Sequence, residues 1–360
     1  MASIPATYRA IRRTPGIGTS ESPLKLEITT ENTFPPSGQL APHDVLIKIH
    51  AVSLNYRDVL MLHGGYPGGV QERGIAASDC SAEVAAVGAG VTQFKVGDRV
   101  APTYDLGNLK GEIKATGHLG LGGDVEGVLR EYAVFEERFL VHLPGHLSWE
   151  EGATLACAGL TAWNAVGAPA SLGKNKSVLI QGTGGVSMFA LLIALAGGLK
   201  PIITSSSDAK LEALRTKLGA PDLLGYNYRT SLDQVAEVQR LTDGKGVDVV
   251  VNTSRPAGIP ADIDSLVPSY GTISVVGFLA GVSADWNPGK LLTLIAKTAR
   301  LQGVTVGSKV EFEALCKFLE EREVRLNPLI DDNIFDFEHS QEAFDYLWAG
   351  KHVGKVVIKL

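Results

Sequence analysis

The chain has 360 residues, room enough for two domains. Apolar residues make up 45% and charged residues 20%, so a sizeable core can form and general disorder is excluded. A net charge of −6 gives no electrostatic pull toward nucleic acid or an anionic membrane.

Cys80, Cys157 and Cys316 lie far apart and form no CxxC pair, so neither a disulfide framework nor a zinc cluster is expected from them. The first residues lack the apolar stretch of a secretory signal. The longest apolar run, Phe189 to Leu199, is too short to span a bilayer. A cytoplasmic protein acting on a small molecule, without membrane or nucleic-acid partners, is the expectation.

Up to about residue 150 the pattern is short strands and turns: Asp44–Ala51, Ala82–Val87 and Gly97–Ala101. One helical segment, Tyr56–His63, interrupts them. Thr103–Gly127 is Gly-rich and aperiodic, long enough to be a functional loop. After Leu143-Pro144-Gly145, Ser148-Trp149-Glu150-Glu151 has the pattern of a capped helix start.

Strand and helix then alternate. Ser177–Gln181, Pro201–Thr204, Val247–Asn252 and Gly271–Gly277 read as strands. Val186–Ala196, Asp208–Leu218 and Ser231–Leu241 read as helices, and the alternation predicts a doubly wound parallel sheet. Beyond about residue 309 come helices over Glu311–Glu321 and Ser340–Ala349 and a closing strand at Val356–Leu360.

Strand Ser177–Gln181 runs straight into Gly182-Thr183-Gly184-Gly185-Val186-Ser187 and a helix. Glycines there let the backbone turn tightly and approach a pyrophosphate held at the helix N-terminus. Ser187 replaces the third glycine of the usual GxGxxG, which weakens the motif without removing it. At the end of the next strand an NAD site places an acid for the ribose 2′-hydroxyl. Here stand Ser205, Ser206 and Ser207, with Lys210 in the first helical turn, a set that suits a 2′-phosphate and so NADP(H). Asp208 reads as a helix cap or first-turn acid.

Taken in order, further segments carry a family resemblance. They are Ser53-Leu54-Asn55-Tyr56-Arg57-Asp58, Phe94-Lys95-Val96-Gly97-Asp98-Arg99-Val100 and Ala156-Cys157-Ala158-Gly159-Leu160-Thr161-Ala162-Trp163. Val276-Gly277-Phe278-Leu279 and Gly354-Lys355-Val356-Val357-Ile358 complete the set. From Tyr8 to Leu360 the chain resembles a zinc-independent medium-chain dehydrogenase/reductase, on the quinone oxidoreductase and enoyl reductase side. The resemblance implies an α/β Rossmann domain (151–309) inserted into a GroES-like, β-rich catalytic domain (1–150 and 310–360). It also implies a homodimer.

Zinc-using relatives ligate the metal at positions that align with Asn55, Ser78 and Cys157. Only the last is a thiol here, and catalytic zinc needs three protein ligands, so no metal is expected. An isolated carbonyl needs a Lewis acid at its oxygen. A conjugated enone or quinone spreads the charge itself, and hydrogen-bond donors then suffice. The resemblance places Tyr66 as a donor to substrate and Asn55 beside the nicotinamide. Asn55 with Asp58 also fits a helix cap, and Tyr56 faces either the site or the core. Thr161, Lys355 and Tyr228 align with residues at the nicotinamide, the pyrophosphate and the adenosine, although Tyr226 or Arg229 is an alternative to Tyr228. The resemblance also makes Asn252, Gly277, Phe278 and Leu279 cofactor-binding positions. After Asn252, Thr253-Ser254-Arg255-Pro256 departs from the glycines of close relatives. The function expected is NADPH-dependent hydride transfer to an activated C=C or a quinone. The alternatives are a zinc-free carbonyl reductase or alcohol dehydrogenase, and a non-catalytic NADPH sensor.

Overall fold

The computed structural model describes residues 4–34, 39–111, 117–254, 256–277, 281 and 283–360. The chain forms two compact units, the residues up to Leu160 with Gly307–Leu360, and Thr161–Val306.

The first unit begins with β1 (Thr7–Arg13), β2 (Leu26–Asn32), β3 (Asp44–Ser53) and α1 (Tyr56–Leu62). It continues through β4 (Asp79–Val87), β5 (Arg99–Pro102), β6 (Tyr132–Glu136), β7 (Leu140–His142) and α2 (Trp149–Gly152). After a single π-turn over Leu155–Gly159, α3 (Leu160–Ala165) leads into the second unit. There follow β8 (Ser177–Ile180), α4 (Gly185–Ala196), β9 (Lys200–Ser205), α5 (Asp208–Leu218), β10 (Leu224–Asn227) and α6 (Gln234–Leu241). β11 (Val249–Asn252), α7 (Ile259–Ser265), β12 (Thr272–Val275), α8 (Leu292–Ala296) and β13 (Arg300–Gly303) complete that unit. The first unit then resumes with α9 (Lys309–Glu321), β14 (Ile330–Asp336), α10 (Ser340–Trp348) and β15 (Lys355–Lys359). No helix among the described residues is long and apolar enough to cross a membrane.

In the second unit the parallel strands run in the order β10-β9-β8-β11-β12-β13. That is the doubly wound arrangement expected from the sequence, and ligands of such sheets bind where the order reverses, here between β8 and β11. Apolar β-branched strands such as Val249-Val250-Val251 suit burial on both faces, and all three are buried. Ser207, rather than Asp208, caps α5 by accepting from Lys210 N. Gly219 ends that helix in the left-handed conformation at φ +60°.

The first unit is built on a sheet ordered β14-β15-β3-β4-β5-β7, with β6 also paired to β3. Val45, Ile47, Ile49 and Val52 of β3 pack with Val59 and Leu62 of α1 and with Val356 and Ile358 of β15. β15 lies antiparallel to β3 with Val357 opposite Ser53, and β4 pairs its other side with Asp79 opposite Ser53. The register therefore gathers three strand ends from distant parts of the chain.

The sequence boundaries at 150/151 and 309/310 differ from the structural ones at 160/161 and 306/307. Ser148 does cap α2, through a reciprocal box with Glu151. But α2 packs on β3, β4 and β15, and the π-turn packs on β4 and α9, so the first unit keeps the chain to Leu160. At the other end Asn164 Nδ2 donates to Val306 O at 2.9 Å and fastens that residue to the second unit.

Candidate active site

The strand ends of the first unit converge on a buried charged cluster. Lys355 at the start of β15 is only 3% exposed. Its Nζ donates to Leu54 O at 2.7 Å and Asn55 Oδ1 at 2.6 Å, and lies 3.9 Å from Asp79 Oδ2. Asp79, fully buried, accepts from Ser78 Oγ at 3.0 Å and Cys157 N at 3.2 Å. Asn55 Nδ2 points to Ser78 Oγ at 3.5 Å. Burial pushes the Asp79 carboxyl up, and Lys355 opposes that. The Cys157 thiol is likewise pushed up by burial and by Asp79.

Asn55 takes both parts that its sequence allows. Its backbone N–H donates to Asp58 Oδ2 at 2.7 Å, closing the helix start, while its side chain turns to Lys355. Asp58 is pushed up to about 6 by burial, against the pull of Arg57 and of the Asn55 N–H. Tyr56, expected as a candidate donor, instead packs on the core, its ring stacked 6.3 Å from that of Trp348.

Tyr66 stands in the glycine-rich loop after α1, half-buried, and lines a cavity of ≈ 430 Å³ with Ile17, Met61, Val70 and Arg73. The Arg57 guanidinium lies 5.1 Å from the Tyr66 ring and 5.0 Å from that of Tyr104. The two phenols interact. The stretch 103–127 thus brings Tyr104 to the site, and Leu121 O accepts from Arg57 Nη1 at 2.8 Å. Residues 112–116 of that stretch lie outside the described residues. Sequence reasoning missed Asp79, Arg57 and Tyr104 as site residues. The available signals were a carboxylate between Ser78 and Cys80 in a buried strand and an Arg57-Asp58 pair at the start of a helix whose remainder is apolar.

In the second unit, Gly182 turns at φ +78° between β8 and α4. Gly182 N donates to Thr204 Oγ1 at 3.0 Å. Gln181 O accepts from Ser187 Oγ at 2.7 Å and Thr253 Oγ1 at 2.8 Å. Ser187 thus does by hydrogen bonding what a third glycine does by close packing. Gly184 caps α4 without a side chain, and a Cβ placed on it would meet nothing within 4 Å. Thr183, Gly185 and Val186 are half-buried around that open helix start.

Beneath the turn, Asp262 is fully buried. It accepts from Gln181 Nε2 at 2.8 Å, Gln234 Nε2 at 2.8 Å and Asn252 Nδ2 at 2.6 Å. Burial pushes its carboxyl up to about 6, against those three amides. Asn252, expected to touch cofactor, is itself fully buried, with Oδ1 accepting from Ser254 N, so its part is to hold the turn. Ser205 is a second correction: it is 1% exposed and its hydroxyl accepts from Ser207 N at 3.2 Å. Ser206 and Lys210 remain half-buried at the end of β9. Asp208 accepts from Asn227 Nδ2 at 2.9 Å. Tyr226 is buried in the core, whereas Tyr228 is exposed and its N–H donates to Ser205 O. Thr161 is buried in α3, and Gly277 faces Thr253 O, 3.2 Å from where a Cβ would stand. Phe278, Leu279 and Arg255 lie outside the described residues.

Residues 41–145 match the alcohol dehydrogenase GroES-like domain, and residues 185–321 match the zinc-binding dehydrogenase family. A zinc-type alcohol dehydrogenase-like protein of Schizosaccharomyces pombe is 36% identical over 326 residues, covering 89% of this chain and 92% of that protein. A highly reducing polyketide synthase of Cryptosporiopsis is 33% identical over 260 residues, 69% of this chain and 10% of the synthase. A solved Sinorhizobium meliloti structure, described as a candidate alcohol dehydrogenase, superposes with a TM-score of 0.84 at 35% identity. It covers 99% of this chain and 100% of that one.

Proposed function

The chain belongs to the medium-chain dehydrogenase/reductase superfamily of oxidoreductases, and we propose that it is an NADP(H)-dependent, metal-independent reductase of activated C=C bonds or quinones. The observation that carries this reading is the Lys355 ammonium, buried against Asn55 and Asp79 where the family's metal position falls. A divalent cation wants anionic or neutral donors around it, not a fixed positive charge among them. Asn55, Ser78 and Cys157 offer one thiol and no three-ligand set. Among the described residues no three of His, Cys, Asp and Glu stand together as a metal cage. The residues present do not fit zinc.

They do fit a dinucleotide. The open, side-chain-free start of α4 suits a pyrophosphate. Ser206 and Lys210 offer a hydroxyl and a cation at the end of β9, and Asp208 is drawn off by Asn227. Tyr228 offers an exposed ring beside the same strand end. When bound, the nicotinamide supplies the hydride.

The chain's own residues manage the charge and the proton. As hydride reaches the β-carbon, the C=C electrons move toward the carbonyl oxygen. Asn55, held by Lys355, presents its amide N–H to that oxygen, and the ammonium behind it favours negative charge there. Tyr66 then gives its phenolic proton to the α-carbon and regains one from solvent. The reducing synthase among the relatives is in keeping with such chemistry.

The test is a panel of enones, quinones and aldehydes with NADPH and NADH, run with and without a strong chelator. Turnover of enones or quinones with NADPH, unmoved by chelation, is expected. Chelator-sensitive oxidation of simple alcohols overturns the reading.

A further inference from the structure

Arg57 has no part in the reaction just described, yet its placement is unusual. Its side chain is only 9% exposed. Nη1 donates to Leu121 O and lies 3.5 Å from Asp58 Oδ1. Nε and Nη2 are buried with no hydrogen-bond partner among the described residues. Buried donors are seldom left so, and charged ones least of all. A guanidinium also cannot discharge itself by losing its proton.

The two open nitrogens share one edge of the guanidinium plane. Their N–H bonds run parallel, the spacing that meets both oxygens of a carboxylate. Two phenol rings flank the group, those of Tyr66 and Tyr104. Glycines keep the space around it: a Cβ on Gly123 would stand 2.6 Å from Nη2, and one on Gly68 would stand 2.6 Å from the Tyr66 ring. The Tyr66 ring lies 5.1 Å from the guanidinium and comes from a loop rich in glycine. Asp58 Oδ1 lies 3.5 Å from Nη1, and Nε and Nη2 have no hydrogen-bond partner among the described residues.

We infer that Arg57 is a substrate-recognition residue whose Nε–Nη2 edge receives a carboxylate carried by the acceptor. The preferred acceptors are then α,β-unsaturated carbonyl compounds that bear a carboxylate. The word acceptor rests on the reductase reading above, whereas carboxylate binding does not.

Two measurements separate them. The first is calorimetric titration of the full chain with cinnamate and with its neutral counterpart cinnamamide. The wild type should prefer cinnamate by roughly 10- to 100-fold, the range of a charge-assisted pair. Arg57→Gln should abolish the preference, and Arg57→Lys, which keeps the charge without the fork, should retain part of it. Gly123→Ala, which crowds Nη2 while leaving Arg57 in place, should reduce it and serves if Arg57→Gln fails to fold. Equal binding of the two probes, binding of neither, or a preference that survives in folded Arg57→Gln or, failing that, in Gly123→Ala overturns the inference. The second is the ratio of kcat/KM for a 4-oxoalk-2-enoate over its methyl ester with NADPH. A wild-type ratio well above one that falls toward one in Arg57→Gln is expected. Selective cinnamate binding without reduction of either compound leaves the inference standing and removes the reductase reading. Reduction of both compounds alike, with no binding preference, does the opposite.

Discussion

Each unit buries one carboxylate at the root of its functional turn, and the two are compensated differently. Asp79 in the first unit faces an ammonium, a hydroxyl, a backbone N–H and the Asn55 amide. Asp262 in the second faces three side-chain amides and no cation among its hydrogen-bond partners. Amide dipoles fix geometry and hold a turn still. An ammonium does that and also projects a positive field onto the neighbouring Asn55. The first arrangement has the makings of a chemical site, and the second is a brace under the dinucleotide turn.

The comparison breaks most easily at Lys355. Lys355→Met leaves Asp79 buried without its cation, a change that costs about 3–5 kcal/mol when one partner of a buried pair is removed. Urea denaturation should show that loss, and Asp262→Asn should lose less. Asn55 also loses its anchor, so turnover should fall at least ~10²-fold. A Lys355→Met variant as stable as Asp262→Asn would erase the distinction between the clusters.

Next in size come two variants that sharpen the division of labour. Lys210→Ala in the second unit should raise the KM for NADPH roughly 10- to 100-fold, as expected for losing a charge-assisted bond to phosphate, and leave NADH nearly unchanged. Equal effects on both cofactors would show that Lys210 does not read the 2′-phosphate. Tyr66→Phe in the first unit should act the other way, lowering kcat by about tenfold or somewhat more with cofactor affinity intact. An unchanged kcat in that variant would remove the tyrosine from the mechanism.

What the sequence made legible follows locality. The strand–glycine–helix turn at Gly182–Val186, the cap at Ser148 and the alternation of the second unit are written in neighbouring residues. The meeting of Asn55, Asp79, Cys157 and Lys355 is not, because it depends on how β4 and β15 register on β3. Strands β6 and β7 were invisible for the same reason: they are short and defined by partners far off in the chain. Side-chain direction at element ends was the other gap. Tyr56, Ser205 and Asn252 had the right chemistry for a site but turn into packing or hydrogen bonds of their own, whereas Lys355, readable as a surface lysine, turns inward.

The smallest predicted effect tests the brace itself. An ordinary aspartate titrates at 3.8, and burial raises that of Asp262 to about 6 in the fold. Between about pH 4 and pH 6 the folded state therefore holds a proton that the unfolded chain has released, and stability falls as pH rises through that window. Above it, the buried charge is a standing cost that three amides only partly offset. Asp58, also raised to about 6 by burial, and Asp79, raised by burial as well, add slopes of the same sign. Asp262→Asn should remove one such slope and leave the others. The difference in unfolding free energy between wild type and variant should then change by about 1–2 kcal/mol from pH 4 to pH 7, shifting in the variant's favour as pH rises. A pH-independent cost of about 1 kcal/mol rides on top, because the new amide turns its NH₂ toward a donor. Parallel stability curves for the two proteins would mean that the three amides hold Asp262 ionised throughout.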